Sequence, residues 1–451
     1  MGLMRMLRTL CLAALIGSTL ALGGCGSTLR TQLQESAVRG NFTEASAHYE
    51  ALRANDGEDE DLLALVAQAL LLEVARSEDA RARRDAIQQL ALAGTQGTEP
   101  LRRLSAEEGP VGIEALLALA RVRDREARRL LRGLADSDNP EVRAASAEAF
   151  TASDAGDAAR LIAWCAEEEV TVRRAACERL GELAPSTEAL EVLVDRARSD
   201  AELRVRAAAT RSLGDFGEAA ALALRERLAD PEAHVRGAAL EALLRADRAS
   251  GRQAAVALLS TPLNGSTIDA ARLLMTPLDR DTPPSAEDAA LARAHLLVAL
   301  QSVDPQLRGQ AALALVGVTA HQDADIEPLR PLLTREPDVG VRLSLARALL
   351  SRGNTRDDAR HTLEVLMSED HGMTGLQAAV ALAPSGHQDA IARLQQGCIV
   401  EEFSLRRVAA RALARDAMRP NDVRLLLRDE DVSVRVQAAG GVLAARANRG
   451  G

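Results

Sequence analysis

A nine-residue pattern, V-R-x-x-A-x-x-x-L, returns twelve times along this 451-residue chain. Its Arg position falls at Arg83, Gly112, Arg143, Arg173, Arg206, Arg236, Thr267, Arg308, Arg342, Gly375, Arg406 and Arg435. The spacing is 29 to 34 residues, with one interval of 41. Three residues on, ten of the twelve positions hold Ala; seven residues on, ten hold Leu and the others Phe150 and Val442. A period of this length is the signature of a solenoid, in which each unit stacks only on its neighbours. Such a chain presents an extended surface rather than a buried pocket.

Residues 230–244, DPEAHVRGAALEALL, illustrate the physics of one unit. Val235, Ala239 and Leu243 are four apart and share one helical face. The small Ala lets a neighbouring helix approach, and the Leu fills the space beyond it. Asp230 is placed to cap the helix, with Pro231 at a first position where no N–H partner is needed. The same start recurs at Asn139-Pro140, Asp304-Pro305 and Glu336-Pro337. An apolar helical stretch, such as residues 221–228, precedes each such helix. Each unit is therefore a helix hairpin of about 30 residues that cannot bury its apolar stripe alone. β-branched alternation is absent. The predicted fold is all-α, a solenoid of about twelve hairpins, and at ~8–10 Å between helices it forms an arc about 100 Å long.

An acidic residue followed by x-x-V-R-x-x-A-x-x-x-L is present at residues 169–180, 202–213 and 232–243, and at 431–442 with Val last. This pattern resembles HEAT-like repeats, specifically the short type found in bilin lyases. The resemblance covers residues 77–446. It implies ladders of acidic side chains and Arg between adjacent repeats, broken at Gly112, Thr267 and Gly375. It also implies that the second helix of each hairpin lines the concave face. Before the repeats, residues 33–76 form a helical cap that resembles a tetratricopeptide unit. Within them, Pro277, Pro283 and Pro284 mark a Pro-rich insertion at residues 276–288, a candidate point of flexion with a trypsin site at Arg280. The last helix carries Gly440-Gly441 and is expected to be weak; residues 447–451 are a tail with no further capping helix.

The first residues set an address. Arg5 and Arg8 precede a short apolar run, residues 10–22, too short to span a bilayer comfortably. Leu22-Gly23-Gly24-Cys25 then resembles a bacterial lipobox. By that resemblance residues 1–24 are a signal peptide, Cys25 is lipidated, and residues 25–32 are a short tether. Gly26 in the next position favours the outer membrane of a Gram-negative bacterium, facing the periplasm. Inner-membrane or cell-surface placement is an alternative. Several acyl chains anchor stably where one does not.

Composition excludes more than it identifies. The net charge is −10, and removing the positive charges of Arg5 and Arg8 leaves −12. This argues against nucleic acid and against an anionic membrane surface as direct partners. All 55 basic residues are Arg, which excludes a lysine nucleophile or Schiff base. The seven His are scattered without metal-ligand spacing, and no nucleophile elbow or phosphate loop occurs. No catalytic, cofactor or metal residue is assigned. Cys165 and Cys177 fall on the two helices of one hairpin, either as core thiols or as an oxidised pair; Cys398 has no evident partner.

One ridge varies along the repeats. Five residues after the Arg position lie Glu148, Glu178, Arg211, Glu241, Arg272, Arg347 and Arg411, acidic toward the first half and basic toward the second. It is either a solvated helix face or a bipolar partner-binding ridge. The sequence therefore points to a lipid-anchored envelope protein acting as a protein-interaction scaffold or adaptor. Its partner is another envelope protein, and membrane contact is through the anchor alone. A lyase-like enzyme of the bilin-lyase type is the alternative. Cys25→Ser is expected to move the protein from the membrane pellet to the soluble periplasmic fraction; unchanged fractionation with retained palmitate labelling excludes Cys25 as the attachment site.

Overall fold

The computed structural model describes residues 25–151, 155–183, 186–277, 284–318, 326–417 and 420–449. The regular elements among them are all helices, as an all-α solenoid requires. Two helices, Cys25–Arg39 and Phe42–Asp56, precede twelve hairpins. The second, inner helices of repeats 1 to 12 are Ala80–Leu92, Pro110–Arg121, Pro140–Ala147, Val170–Leu183, Leu203–Leu213, Ala233–Ala246, Gly265–Met275, Pro305–Val318, Val339–Leu349, Met373–Leu382, Phe403–Ala412 and Val432–Arg449. Each contains one of the twelve pattern positions. Helix Glu60–Val74 is the outer helix of repeat 1, so the hairpin array begins upstream of Ser77.

The packed stripe is the one the pattern specifies. Val235, Ala239 and Leu243 are fully buried, as are Val205, Ala209 and Leu213 one repeat earlier. The helix caps lie four residues before the Arg position. Asp79, Asn139, Glu202 and Asp338 each accept a backbone N–H there. The expectation for Asp230 is corrected: helix Ala233–Ala246 starts after Glu232, and Asp230 accepts the Glu232 N–H from the turn before it. Asp230 is buried because it has a second task.

That task is to receive an Arg from the preceding repeat. Arg206 reaches Asp230 at 3.2 Å and also donates to the carbonyls of Asp200 and Ala201 in its own turn. Arg173 does the same with Asp200, Glu167 and Glu168, and Arg406 with Asp429, Val400 and Glu401. Arg308 donates to both Glu336 oxygens at 2.6 and 2.9 Å and to the Ser302 and Val303 carbonyls at 2.8 and 3.0 Å. One guanidinium therefore staples its own interhelical turn and forms a rung to the next. The rung acceptor stands six residues before the next Arg position, whereas the acidic residue of the sequence pattern, four before, is the helix cap. Arg236 is a further correction. It staples the Asp230 and Pro231 carbonyls but has no carboxylate partner among the described residues, because position 261 of the next turn is Thr.

The three positions without Arg use other solutions. A Cβ on Gly112 would lie 2.0 Å from the Glu107 carbonyl oxygen, and one on Gly375 would lie 1.8 Å from that of Asp370. There the turn closes directly onto the helix, and only Gly fits. Thr267 is fully buried and meets His295 Nε2 at 2.9 Å, a neutral rung between repeats 7 and 8. Burial holds the His295 pKa below its ordinary value, consistent with an uncharged imidazole.

The arc closes on itself. The inner helix of repeat 12, Val432–Arg449, packs along both Glu60–Val74 and Ala80–Leu92 of repeat 1. The expected weakness at Gly440-Gly441 is reversed by this contact. A Cβ at Gly440 would lie 2.3 Å from Gln89 Oε1 and 2.8 Å from its Cγ, so the glycine gives the Gln89 side chain of repeat 1 its room. Gly441 likewise lets the helix approach Ala414 of repeat 11. A polar clasp covers the outer side. Glu50 of the extra N-terminal pair accepts from Arg424 at 2.9 Å and from Arg428 at 3.2 Å, and Arg446 meets Asp61 at 3.2 Å. Residues 33–76 thus cover repeat 12 as well as repeat 1. Of the Pro-rich insertion, residues 278–283 lie outside the described residues; the inner helices of repeats 7 and 8 pack on each other across it. Twelve inner helices spaced ~8–10 Å apart give a ring ~30–40 Å across between helix axes, and subtracting a helix diameter of ~10 Å leaves an opening of ~20–30 Å.

Two measurements follow from the rung and the seam. Arg308→Gln leaves the buried Glu336 carboxylate unpaired and should cost about 2–3 kcal/mol, against about 1 kcal/mol for Arg236→Gln, read as thermal midpoints at pH 7. Arg308's hydrogen bonds hold the Glu336 carboxyl below its ordinary 4.5, outweighing burial. A carboxyl depressed in the fold stabilises above its unfolded pKa and loses that contribution as pH falls through the lowered folded value. The gap between wild type and Arg308→Gln should therefore narrow below about pH 4.5. Gly440→Leu should part the seam, raising the maximum dimension in small-angle scattering while helical circular dichroism is retained; an unchanged envelope would show that closure does not depend on this contact.

Candidate interaction surface on the inner wall

At several repeats the side chains one, two, five and nine residues after the Arg position, and some two residues before it, face the inside of the ring. In repeats 1 to 6 they line one open groove of about 1100 Å³, from Arg84 and Arg121 through Glu148, Arg174 and Glu178 to Arg211 and Arg245. A second concavity of about 310 Å³ lies over repeats 10 to 12, among Val380, Arg407, Arg411 and Gln437. The inner helices expose this wall because their opposite faces carry the packed Val, Ala and Leu stripe.

The ridge residues divide between these regions. Glu148, Glu178 and Arg211 line the larger groove, and Arg411 lines the smaller. Glu241 and Arg347 are exposed on the wall between, and Arg272 is half-buried beside Asp269 at 3.8 Å. The ridge alone does not give the wall its charge. Glu178 is held by Arg174 at 2.7 Å and Arg211 at 3.6 Å, Glu182 by Arg179, and Asp215 by Arg245 at 3.0 Å. Of the ridge carboxylates, Glu178 is neutralised in this way, whereas Glu148 and Glu241 have no Arg partner among the described residues. Counting one position per helix missed Arg174, Arg179 and Arg245; the other inward positions would have supplied them.

The larger groove holds eight Arg against five carboxylates, and the smaller three Arg and no carboxylate. The chain as a whole carries −10, so negative charge is concentrated away from the inner wall. No aromatic side chain lines either concavity. Among the described residues no three His, Cys, Asp or Glu side chains converge as a metal site would require. Cys165 and Cys177 lie back to back inside repeat 4 with sulfurs 3.4 Å apart, far from solvent. The hydrogen bond from Cys177 to Cys165 and burial push the Cys177 thiol well above its ordinary pKa, which disfavours a reactive thiolate. Burial, with Asp422 and Asp429 nearby, pushes Cys398 up to about 12. The surface offers charged, solvent-facing side chains over a long curved wall, an arrangement for holding a partner.

No curated protein matches this chain in sequence. Among solved structures, YibA from E. coli is 15% identical, with 68% of this chain and 98% of that chain covered and a TM-score of 0.30. Importin beta is 17% identical, with 82% and 60% covered and a TM-score of 0.35. Kap121p bound to Nup53p is 15% identical, with 94% and 53% covered and a TM-score of 0.34, so this chain spans about half of its length. None of these carries a functional reading over to this chain. The sequence model for HEAT repeats matches residues 67–151 and 158–244. The protein is an α-solenoid whose residues 67–151 and 158–244 match HEAT repeats and whose later helix hairpins, through helix Val432–Arg449, are stacked in the same way.

Proposed function

We propose that the protein is a non-catalytic scaffold of the bacterial envelope, held to the outer membrane by lipid on Cys25 and gripping another envelope protein on its inner wall. The observation that carries the scaffold reading is the wall itself: twelve inner helices joined into a ring, with an open, charged concave surface on the side opposite their packed stripe. A partner there meets many shallow polar contacts, and specificity comes from charge placement along the curve rather than from one deep pocket. The anchor rests on the sequence of residues 1–25, of which residues 1–24 lie outside the described residues. A tether of about eight residues, at ~3.5 Å each, reaches at most ~28 Å when extended. Helix Cys25–Arg39 occupies that stretch here, which would bring the ring still closer to the membrane.

The test must respect the composition. With no lysine in the chain, amine-directed crosslinkers have no side chain to attack. A photo-crosslinking residue at Glu241, exposed on the inner wall, should capture one dominant envelope protein in living cells. The same residue at Leu222, exposed on an outer helix, should not capture it. Equal capture from both positions would place binding elsewhere than the inner wall and overturn the reading.

A further inference from the structure

Ring closure brings together arginines that the sequence separates by 284 to 327 residues. Arg407 and Arg411 stand on the inner helix of repeat 11, Arg84 on that of repeat 1, Arg121 at the end of that of repeat 2, and Arg123 just after it. Between repeats 11 and 1 lies the inner helix of repeat 12, whose inward positions Ser433, Gln437 and Gly440 are small or uncharged. None of these five arginines has a carboxylate partner among the described residues. Elsewhere on the wall Arg174, Arg179, Arg211 and Arg245 are already paired with their own Glu or Asp. The seam thus gathers several uncommitted arginines on adjacent helices, whereas Arg347 of repeat 9 stands without a neighbour of its kind on the next inner helices. Arg123 adds a second sign, as the one non-glycine residue with positive φ (61°) among the described residues. A left-handed backbone costs a residue with a Cβ, and such strain is retained where the side chain is needed.

From this we infer that the closed seam binds an extended acidic segment of the protein partner, with its carboxylates on Arg407, Arg411, Arg84 and Arg121. The inference rests on the scaffold reading and names the chemistry of the partner. Three inter-helix steps of ~9 Å make the arc ~27 Å long, which about eight residues of extended chain span at ~3.4 Å each. Guanidinium groups pair with carboxylates in a two-pronged geometry, and one exposed pair contributes little, so binding requires several in register. A nucleic acid is disfavoured because no aromatic side chain lines either concavity to stack a base, and Glu141 and Glu148 stand beside the seam in the larger groove. The site exists only while repeat 12 is docked on repeat 1.

The test uses the full chain in detergent at low ionic strength, with fluorescein-labelled ten-residue glutamate and glutamine peptides followed by anisotropy. The glutamate peptide should bind at least ten times more tightly than the glutamine peptide, and added salt should weaken it. Replacing Arg84, Arg121, Arg407 and Arg411 together by Ser should weaken binding at least tenfold. Replacing Arg129, Arg198, Arg225 and Arg360 on outer helices by Ser, an equal change of charge, should alter it less than threefold. Gly440→Leu should match the first set while keeping its helical circular dichroism. Equal loss from both Arg sets, or binding unaffected by opening the seam, overturns the proposal. So does a labelled single-stranded oligonucleotide binding more tightly than the glutamate peptide. Capture at Glu241 in cells without peptide binding would remove the acidic-segment inference and leave the scaffold. Peptide binding without capture would do the reverse.

Discussion

Every level of this structure depends on one guanidinium making two kinds of contact. Arg308 fixes its own turn through the Ser302 and Val303 carbonyls and fixes the next turn through Glu336. The first contact sets the angle within a hairpin; the second sets the rotation between hairpins. In a solenoid small per-repeat rotations accumulate. Twelve repeats that close must turn about 30° each on average. A rung that is 13% exposed on one side and 1% on the other is shielded from solvent and held in one geometry, which makes the rotation reproducible. Where Arg is missing, Gly112 and Gly375 bring the turn onto the helix and Thr267 substitutes a neutral bond to His295. The ladder changes chemistry at these points while the stacking continues.

Closure also answers a stability problem that an open solenoid leaves unsolved. End repeats expose an apolar face and need polar caps. Here the two ends cover each other. Leu63, Leu70 and Ala86 of repeat 1 and Val434, Ala438 and Val442 of repeat 12 are buried in one continuous core. The polar clasp of Glu50 with Arg424 and Arg428 lies outside this contact and is only partly shielded, so it aligns the ends more than it holds them. Burial of the apolar faces supplies the larger favourable term.

The fold was legible because its determinants are local. The Val, Ala and Leu stripe and the Asp or Asn caps act within one hairpin and appear within fifteen residues, and the interval of 29 to 41 residues between Arg positions counts the hairpins. The rung acceptor was misplaced by two residues because the cap and the acceptor are both acidic and both precede the Arg; only geometry separates Asp230 from Glu232. Closure was illegible for a different reason. It joins Gln89 to Gly440, and nothing periodic links them. Two glycines in a terminal helix read as weakness from propensity alone, whereas their use is to let two helices approach. The wall's charge was half legible: the ridge residues do face inward, but their meaning depends on Arg174, Arg179 and Arg245 beside them.

The exclusive use of Arg takes on partial sense in this light. A lysine ammonium has three donors around a point, and an arginine has five in a plane. Only the planar fork can reach two carbonyls of one turn with one edge and a carboxylate of the next with the other, as Arg173 and Arg406 do. At the repeat positions that make both contacts, Arg is therefore required by geometry. For the outer-surface arginines, such as Arg129 and Arg360, the structure gives no such reason. On the inner wall the same planar group has a third use, because an uncommitted guanidinium facing a water-filled opening is ready to pair with a carboxylate from outside. One residue type thus builds the hairpin, sets the curvature that closes the ring, and supplies the charge on the surface that closure creates. The seam joins all three, since Arg407 and Arg411 come beside Arg84 and Arg121 only after the stacking of twelve repeats has carried the chain through a full turn.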